Sequence, residues 1–482
     1  SLLVFVVLWL VLDTAQRGPR QMVSFLGLLL LIFLMLLFSK HPFKVGHGPS
    51  LPLPLPLPLP LPLPLPLPLP LSALHKHTPI NAIPTAFAVV LAGFGVGDFD
   101  PVMPVLLFLS SIISVLYYIG FMPWLICKIG YAMQVTMGTT PVESVVAAGT
   151  IFLGQAESLI LVHPYISRLT LSEIHTLMTV GLAGISGTML AAYISLGVRS
   201  WMLSATVMTA PASLAVGKIF WPETETSQVK DEEDIKTNIE TNTTVFEAAS
   251  TGATSAVGLA VTIVVNLMVF ISLMSFLDGV LSWFGGLFDF PQLSFSLIFS
   301  YLFMPLAFMM GVSYEDSFIV AELIGIKTVL NELLAYQKMS KIIKLRNAGG
   351  PEYVDNVKQY ISVHSEMIAT YALCGFSNFA SMGIAFGCMT NLAPGRQADI
   401  ARCGIRALVA GSVSCFMTAC IAGILYIPEV PEVLCAGFLS THFDKSVVMN
   451  SSQLVACCTH LYTRYVMCVC VCAFTLTFKT WF

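Results

Sequence analysis

Charge is what this chain lacks. Only 10% of its 482 residues are Asp, Glu, Lys or Arg, and 56% are hydrophobic. Soluble domains carry about 25% charged residues. With a mean hydropathy of +0.83, a water-soluble globular domain is excluded and lipid is the expected solvent. The net charge of -4 is too small to draw nucleic acid, so no such partner is expected. There is no P-loop, no H-E-x-x-H and no G-x-S-x-G elbow, so the corresponding hydrolases are excluded and no enzyme is expected. The twelve cysteines show no zinc-site spacing and no disulfide-scaffold pattern. Cys127, Cys374, Cys388, Cys415 and Cys420 lie in apolar segments and read as small packing residues. Cys457 and Cys458 could pair with Cys435, or near one another, were the tail extracellular.

What the chain does have is a series of apolar runs. Residues 2–12 are too short to span and predict a truncated first helix. Spanning helices are predicted over 22–39, 102–119, 201–219, 257–276, 293–312 and 400–426, with an amphipathic interfacial helix over 121–135. Residues 283–291 form a short aromatic stretch suited to an interface. Residues 51–70 are ten Leu-Pro pairs. Proline at every second position forbids a helix and leaves extended chain that does not cross lipid. This run reads as a simple-sequence artefact, with a rigid spacer as the alternative.

Four runs are polar at their centres. In residues 139–165, Gly154-Gln155-Ala156-Glu157-Ser158 interrupts apolar sequence on both sides, which places Glu157 deep in the membrane. An ionisable residue there marks a solute or ion pathway. Residues 171–198 contain Gly181, Gly184, Ser186, Gly187 and Thr188. Residues 315–343 contain Glu322, Lys327 and Glu332, and residues 365–390 break at Gly375-Phe376-Ser377-Asn378. The order is therefore hairpin, interrupted helix, helix, and then the same again. Matching breaks in two halves point to a secondary transporter made of inverted repeats. The predicted fold class is an all-α polytopic membrane protein with two re-entrant helical hairpins and two interrupted helices. Glu332 could instead pair with Lys327 or Lys338. Asn378 and Ser381, three apart, could form a helix-packing contact. A carboxylate transporter would want Arg or Lys at the site, and none is present.

At this point a resemblance emerges. The Gly154–Ser158 motif, His163-Pro164-Tyr165, Ala192-Tyr193-Ile194-Ser195, Ala210-Pro211-Ala212-Ser213, Trp221-Pro222-Glu223-Thr224-Glu225, Tyr371 to Asn378 and Phe416-Met417-Thr418-Ala419-Cys420 resemble the concentrative nucleoside transporters, in order, over residues 100–428. The resemblance implies sodium-driven nucleoside import by a homotrimer in the plasma membrane. It implies Gln155 and Glu157 on the nucleobase, Glu332, Asn378 and Ser381 on the ribose, and Phe376 lining the site. Gly154 and Thr188 match members that accept purines or both base classes, while Met189 is larger than the usual Val. The implied sodium ligands are Thr150 through its side chain, Leu153 and Ile185 through backbone carbonyls, and Gly184, which has only backbone to offer. The family supplies Asn where this chain has Thr150 and Ser or Thr where it has Gly184, so weakened sodium affinity is expected.

On this reading the chain divides into N-terminal membrane helices (1–44), the low-complexity segment (45–80), a scaffold and interfacial helix (81–138), a first transport repeat (139–220), a polar linker (221–244), scaffold helices (245–312), a second transport repeat (313–428) and a tail (429–482). Asn242 and Asn450 head bare glycosylation sequons. A damaged or mis-spliced copy without coupled transport is the alternative, because the Leu-Pro run stands where the family has a span.

Overall fold

The computed structural model describes residues 19–41, 102–195, 198, 201–227, 229, 244–290, 292–354 and 357–426. The truncated first helix, the Leu-Pro segment, residues 81–101, most of the polar linker, the sequon asparagines Asn242 and Asn450, and the tail with Cys435, Cys457 and Cys458 lie outside the described residues.

Helix α1 spans Pro19–Leu37. Gln21, Ser24, Gly27, Leu31 and Met35 recur every three to four residues and are buried, while Leu26, Phe33 and Leu37 face outward. That is the two-sided pattern of a helix with protein on one face and lipid on the other. The Ser24 hydroxyl donates to the Met310 carbonyl at 2.8 Å. α2 (Val102–Tyr118) and α3 (Phe121–Met137) meet at an 81° bend. Gly120 at the bend has φ +86°, a conformation that costs glycine nothing.

Next come α4 (Pro141–Gly149), α5 (Gln155–Ile160), α6 (His163–Ile166), α7 (Leu171–Ala183), α8 (Gly187–Ser195) and α9 (Trp201–Phe220). α10 (Val245–Gly286) is one helix of 42 residues, not the predicted span followed by a separate interfacial stretch. The predicted span began where hydropathy rises. The helix begins earlier, where the Thr244 side chain caps it by accepting from the Glu247 N–H. α11 (Phe295–Met309) bends by 120° into α12 (Tyr314–Val329). α13 (Glu332–Asn347) leads to a short antiparallel pair, β1 (Tyr353–Val354) and β2 (Val357–Lys358), which no sequence signal announced. α14 (Val363–Leu373), α15 (Phe379–Leu392) and α16 (Gln397–Leu425) complete the described chain. Among the described residues, four helices are long and apolar enough to span a membrane, or up to six if each bent pair is one span.

α16 is the central post. Its residues from Ser414 to Ile424 are all buried, and it packs on α7, α9 and α14. At its other end, Arg406 donates to the carbonyls of Phe38 at 2.9 Å and Phe220 at 3.1 Å. The guanidinium also lies 4.2 Å from the Phe220 ring centroid, and Lys40 sits 3.6 Å over the Trp221 ring.

The two series α4–α9 and α12–α16 begin alike. Each opens with a buried carboxylate in its first turn, Glu143 and Asp316, where the helix dipole favours negative charge. Lys218 pairs with Glu143 at 2.7 Å and Lys358 with Asp316 at 2.9 Å. Partial burial disfavours the charged form of Lys358, but hydrogen bonds to Asp316 and Glu315 win and hold its pKa above the usual lysine range. Removing one partner of a buried pair leaves the other charge uncompensated, at about 3–5 kcal/mol. Lys218→Met is therefore expected to lower the melting temperature of the detergent-solubilised protein sharply. Lys218→Met/Glu143→Gln should regain part of the loss in the same melt, since Glu223 also loses its 3.2 Å partner.

Candidate functional site

The four polar runs become four breaks in helical structure: Thr150–Gly154, Gly184–Ser186, Leu330–Asn331 and Cys374–Asn378. They converge. The Gly187 N–H donates to the Phe152 carbonyl at 3.0 Å, joining the first two breaks. The Phe376 N–H donates to the Gly184 carbonyl at 3.3 Å, joining the second to the fourth. Gly375 has φ +95° and lies so close to Ala183 that a β-carbon would overlap its carbonyl oxygen.

The third break meets the fourth through side chains. Glu332, the first residue of α13, is buried with 4% exposure. Its Oε2 accepts from Asn378 Nδ2 at 3.0 Å, and its Oε1 from the Tyr193 hydroxyl at 2.9 Å. Lys327, at 1% exposure, does not pair with Glu332. Its ammonium donates to the carbonyls of Ala372 at 3.0 Å and Cys374 at 2.8 Å. Those carbonyls end α14, where backbone acceptors lack helical partners and the dipole is negative. Lys338 pairs with Glu322 across the two arms α12 and α13. Both alternative partners for Glu332 are thus engaged elsewhere. Asn378 is not on a helix face with Ser381. It caps α15 by accepting from the Ser381 N–H at 2.8 Å.

The first break holds Gln155, which is buried against Gly181. Its Nε2 has no hydrogen-bond partner, and neither does the Oγ of fully buried Ser377. Unpaired buried polar atoms are uncommon and call for an explanation. A polar solute is one.

Glu157 is a correction. The apolar flanks predicted deep burial, yet it is exposed. α5 is short and buries Gln155, Ser158 and Leu159, which turns Glu157 and Ile160 outward together. The carboxylate folds back over Gly154, in the space a β-carbon there would need. α5 packs against α15, so Glu157 stands beside the helix that Asn378 caps.

Phe376 is half-buried and Ser381 is buried. Thr188 is half-buried with its hydroxyl 3.0 Å from that of Ser186, and Met189 is buried. Thr150, Leu153 and Ile185 are buried. The Thr150 hydroxyl donates to the Ala147 carbonyl at 2.9 Å, so its proton is committed while its oxygen can still accept. A β-carbon on Gly184 would lie 3.0 Å from Thr150 Cβ and 3.3 Å from its Oγ1. The two departures from the family are therefore neighbours, and the branched Thr150 fills space that a larger residue 184 would need.

Tyr193 is the site residue that the sequence did not single out. It lay inside a quoted motif, but nothing in its spacing tied it to a carboxylate 139 residues away.

A helical membrane protein whose broken helices converge on a buried carboxylate and amide is a transporter of a small polar solute. Comparison narrows this class. The family model described as Na+ dependent nucleoside transporter C-terminus matches residues 201–423, and a nucleoside recognition model matches residues 99–199. Solute carrier family 28 member 3 of Eptatretus stoutii is 47% identical over 481 residues, covering 97% of this chain and 69% of the relative. Sodium/nucleoside cotransporter 1 of Sus scrofa is 42% identical over 468 residues, covering 95% and 71%. The structure of CNTnw in an inward-facing substrate-bound state matches with a TM-score of 0.71 and 33% identity, covering 84% of this chain and 98% of that one. The chain belongs to the concentrative, sodium-coupled nucleoside transporter family. It is an integral membrane transporter and not an enzyme.

Proposed function

We propose that this chain imports nucleosides across the plasma membrane by alternating access, drawing on the sodium gradient. The observation that carries this reading is Glu332, buried, oriented by donors from both halves of the chain, and linked through the fourth and second breaks to the one that precedes the unpaired Gln155 amide. A nucleoside is a neutral solute rich in donors and acceptors. It suits fixed carboxylates and amides beside an apolar face.

In this account Gln155 and Glu157 meet the nucleobase, Glu332, Asn378 and Ser381 hold the ribose, and Phe376 covers the ring. Gly154, Thr188 and Met189 shape base preference. Sodium is bound by Thr150 and the backbone carbonyls of Leu153, Gly184 and Ile185. The helix pairs α4–α5 and α12–α13 are re-entrant hairpins of two inverted transport repeats (139–220 and 313–428). Residues 81–138 and 245–312 form the scaffold of a homotrimer, with 221–244 as linker. The ion stabilises the geometry in which the first break faces substrate, which is coupling through differential affinity.

Labelled uridine and inosine uptake in nucleoside-transport-deficient cells, in sodium, choline or acid medium, tests the reading. Uptake that is saturable and lost in choline supports it; uptake equal to that of untransfected cells in every medium ends it. The ion site has its own test. Thr150→Asn/Gly184→Thr is expected to lower the half-saturating sodium concentration by about tenfold, the worth of about 1.4 kcal/mol. Gly184→Thr alone should impair uptake more than the double variant, because its β-carbon meets the Thr150 Oγ1 at 3.3 Å as well as the residue-150 β-carbon at 3.0 Å that both variants share. Identical sodium curves for wild type and double variant would remove Thr150 and Gly184 from the ion site.

A further inference from the structure

The geometry points to Tyr193 as a positioning residue for ribose recognition, acting on substrate only through the Glu332 carboxylate; this rests on the nucleoside reading of the site.

Tyr193 is fully buried. It stands on α8, just past the second break, and its hydroxyl reaches Glu332 Oε1 at 2.9 Å. Its ring packs tilted against Tyr336, with centroids 4.7 Å apart and planes inclined by 33°. Tyr336 is in turn fixed, since its own hydroxyl donates to the Thr370 carbonyl at 2.9 Å. The Tyr193 hydroxyl therefore has little freedom to seek another acceptor.

A carboxylate offers about four acceptor positions on its two oxygens. Asn378 fills one on Oε2 and Tyr193 one on Oε1. The backbone N–H of Glu332 itself also donates to the carboxylate, and the acceptor capacity left over is what a ribose hydroxyl can use. Held at its root by α13 and at both oxygens by donors, the carboxylate cannot rotate about its terminal bond. Such rotation is otherwise soft. A phenol that only filled space would not need its oxygen aimed at a charge.

Tyr193→Phe keeps the ring and its packing and removes one oxygen. Radiolabelled uptake should show the KM for uridine raised about tenfold, the effect of losing one hydrogen bond to a charged group. Maximal rate and surface abundance should stay within about twofold. The KM for 2′,3′-dideoxyuridine should not change, because that substrate has no vicinal hydroxyls for Glu332 to receive. Tyr336→Phe removes only the Thr370 anchor of the neighbouring ring and should raise the uridine KM less than Tyr193→Phe does. Infrared spectra of the purified full-length protein give a readout independent of transport. Carboxylate bands that vanish in Glu332→Gln should shift in Tyr193→Phe.

An unchanged uridine KM in Tyr193→Phe, an equal rise for both substrates, or coincident carboxylate bands would each overturn the assignment. If the wild type takes up no nucleoside while the bands still shift, the nucleoside reading falls and the positioning contact stands.

Discussion

Glu332→Gln is expected to reduce uridine uptake by about 100-fold or more, with protein still present at the cell surface. A hydrogen bond to a charged group is worth about 1.5–3 kcal/mol. Two ribose hydroxyls on one carboxylate therefore represent about 3–6 kcal/mol, and each 1.4 kcal/mol is a factor of ten. The substitution is isosteric, but it also places an amide N–H₂ against donors from Tyr193 and Asn378. Gln155→Ala should cost less, about fivefold, since a neutral amide contact is worth roughly 1 kcal/mol. The check is the KM and maximal rate of labelled uridine uptake, normalised to surface protein. Glu332→Gln uptake within threefold of wild type would show that this carboxylate does not hold the solute.

Gly375→Ala should be the most damaging single methyl group in the described chain. Gly375 has φ +95°, where a β-carbon costs about 1–2 kcal/mol from backbone conformation alone. That carbon would also overlap the Ala183 carbonyl oxygen and crowd Cys415 Sγ. Overpacking of this kind adds about 1–3 kcal/mol. The contact cannot relax locally, because the neighbouring Phe376 N–H is bonded to Gly184. Melting of the detergent-solubilised protein should drop by several degrees, and uptake should fall with it. Gly383→Ala is the control. Gly383 lies in α15 with open space around it, where alanine gains about 0.5–1 kcal/mol in a helix. Equal melting temperatures for the two variants would mean that the crossing of the two interrupted helices is looser than described.

Both cases bear on what the sequence could reveal. The breaks at Gly184–Ser186 and Cys374–Asn378 were legible because glycine, hydroxyl and amide residues cluster inside apolar runs, where lipid tolerates them only for a reason. The contact between Gly184 and Phe376 was not legible, since it joins residues far apart in the chain through backbone atoms. Lys327 and Glu332 looked like a candidate pair because hydropathy says only that both are buried. Their actual partners, two carbonyls and two donors, are set by how α14 ends and where α8 lies. Glu157 shows the limit most clearly. Apolar flanks reported its surroundings along the chain but not which side of the short α5 it occupies. The Thr150–Gly184 fit was half-visible, since both departures from the family could be read and their adjacency could not. The start of α10 escaped because caps, and not hydropathy, set helix ends.

The Arg406 guanidinium has a mechanical consequence. By gripping the terminal carbonyls of α1 and α9 from within α16, it pins three helices at one knot. Whatever displacement carries cargo from one face of the bilayer to the other must then leave this knot intact, and the N-terminal α1 rides with the helices that close each half. The hinges are to be sought in other joints of the chain, such as the bend between α2 and α3 at Gly120.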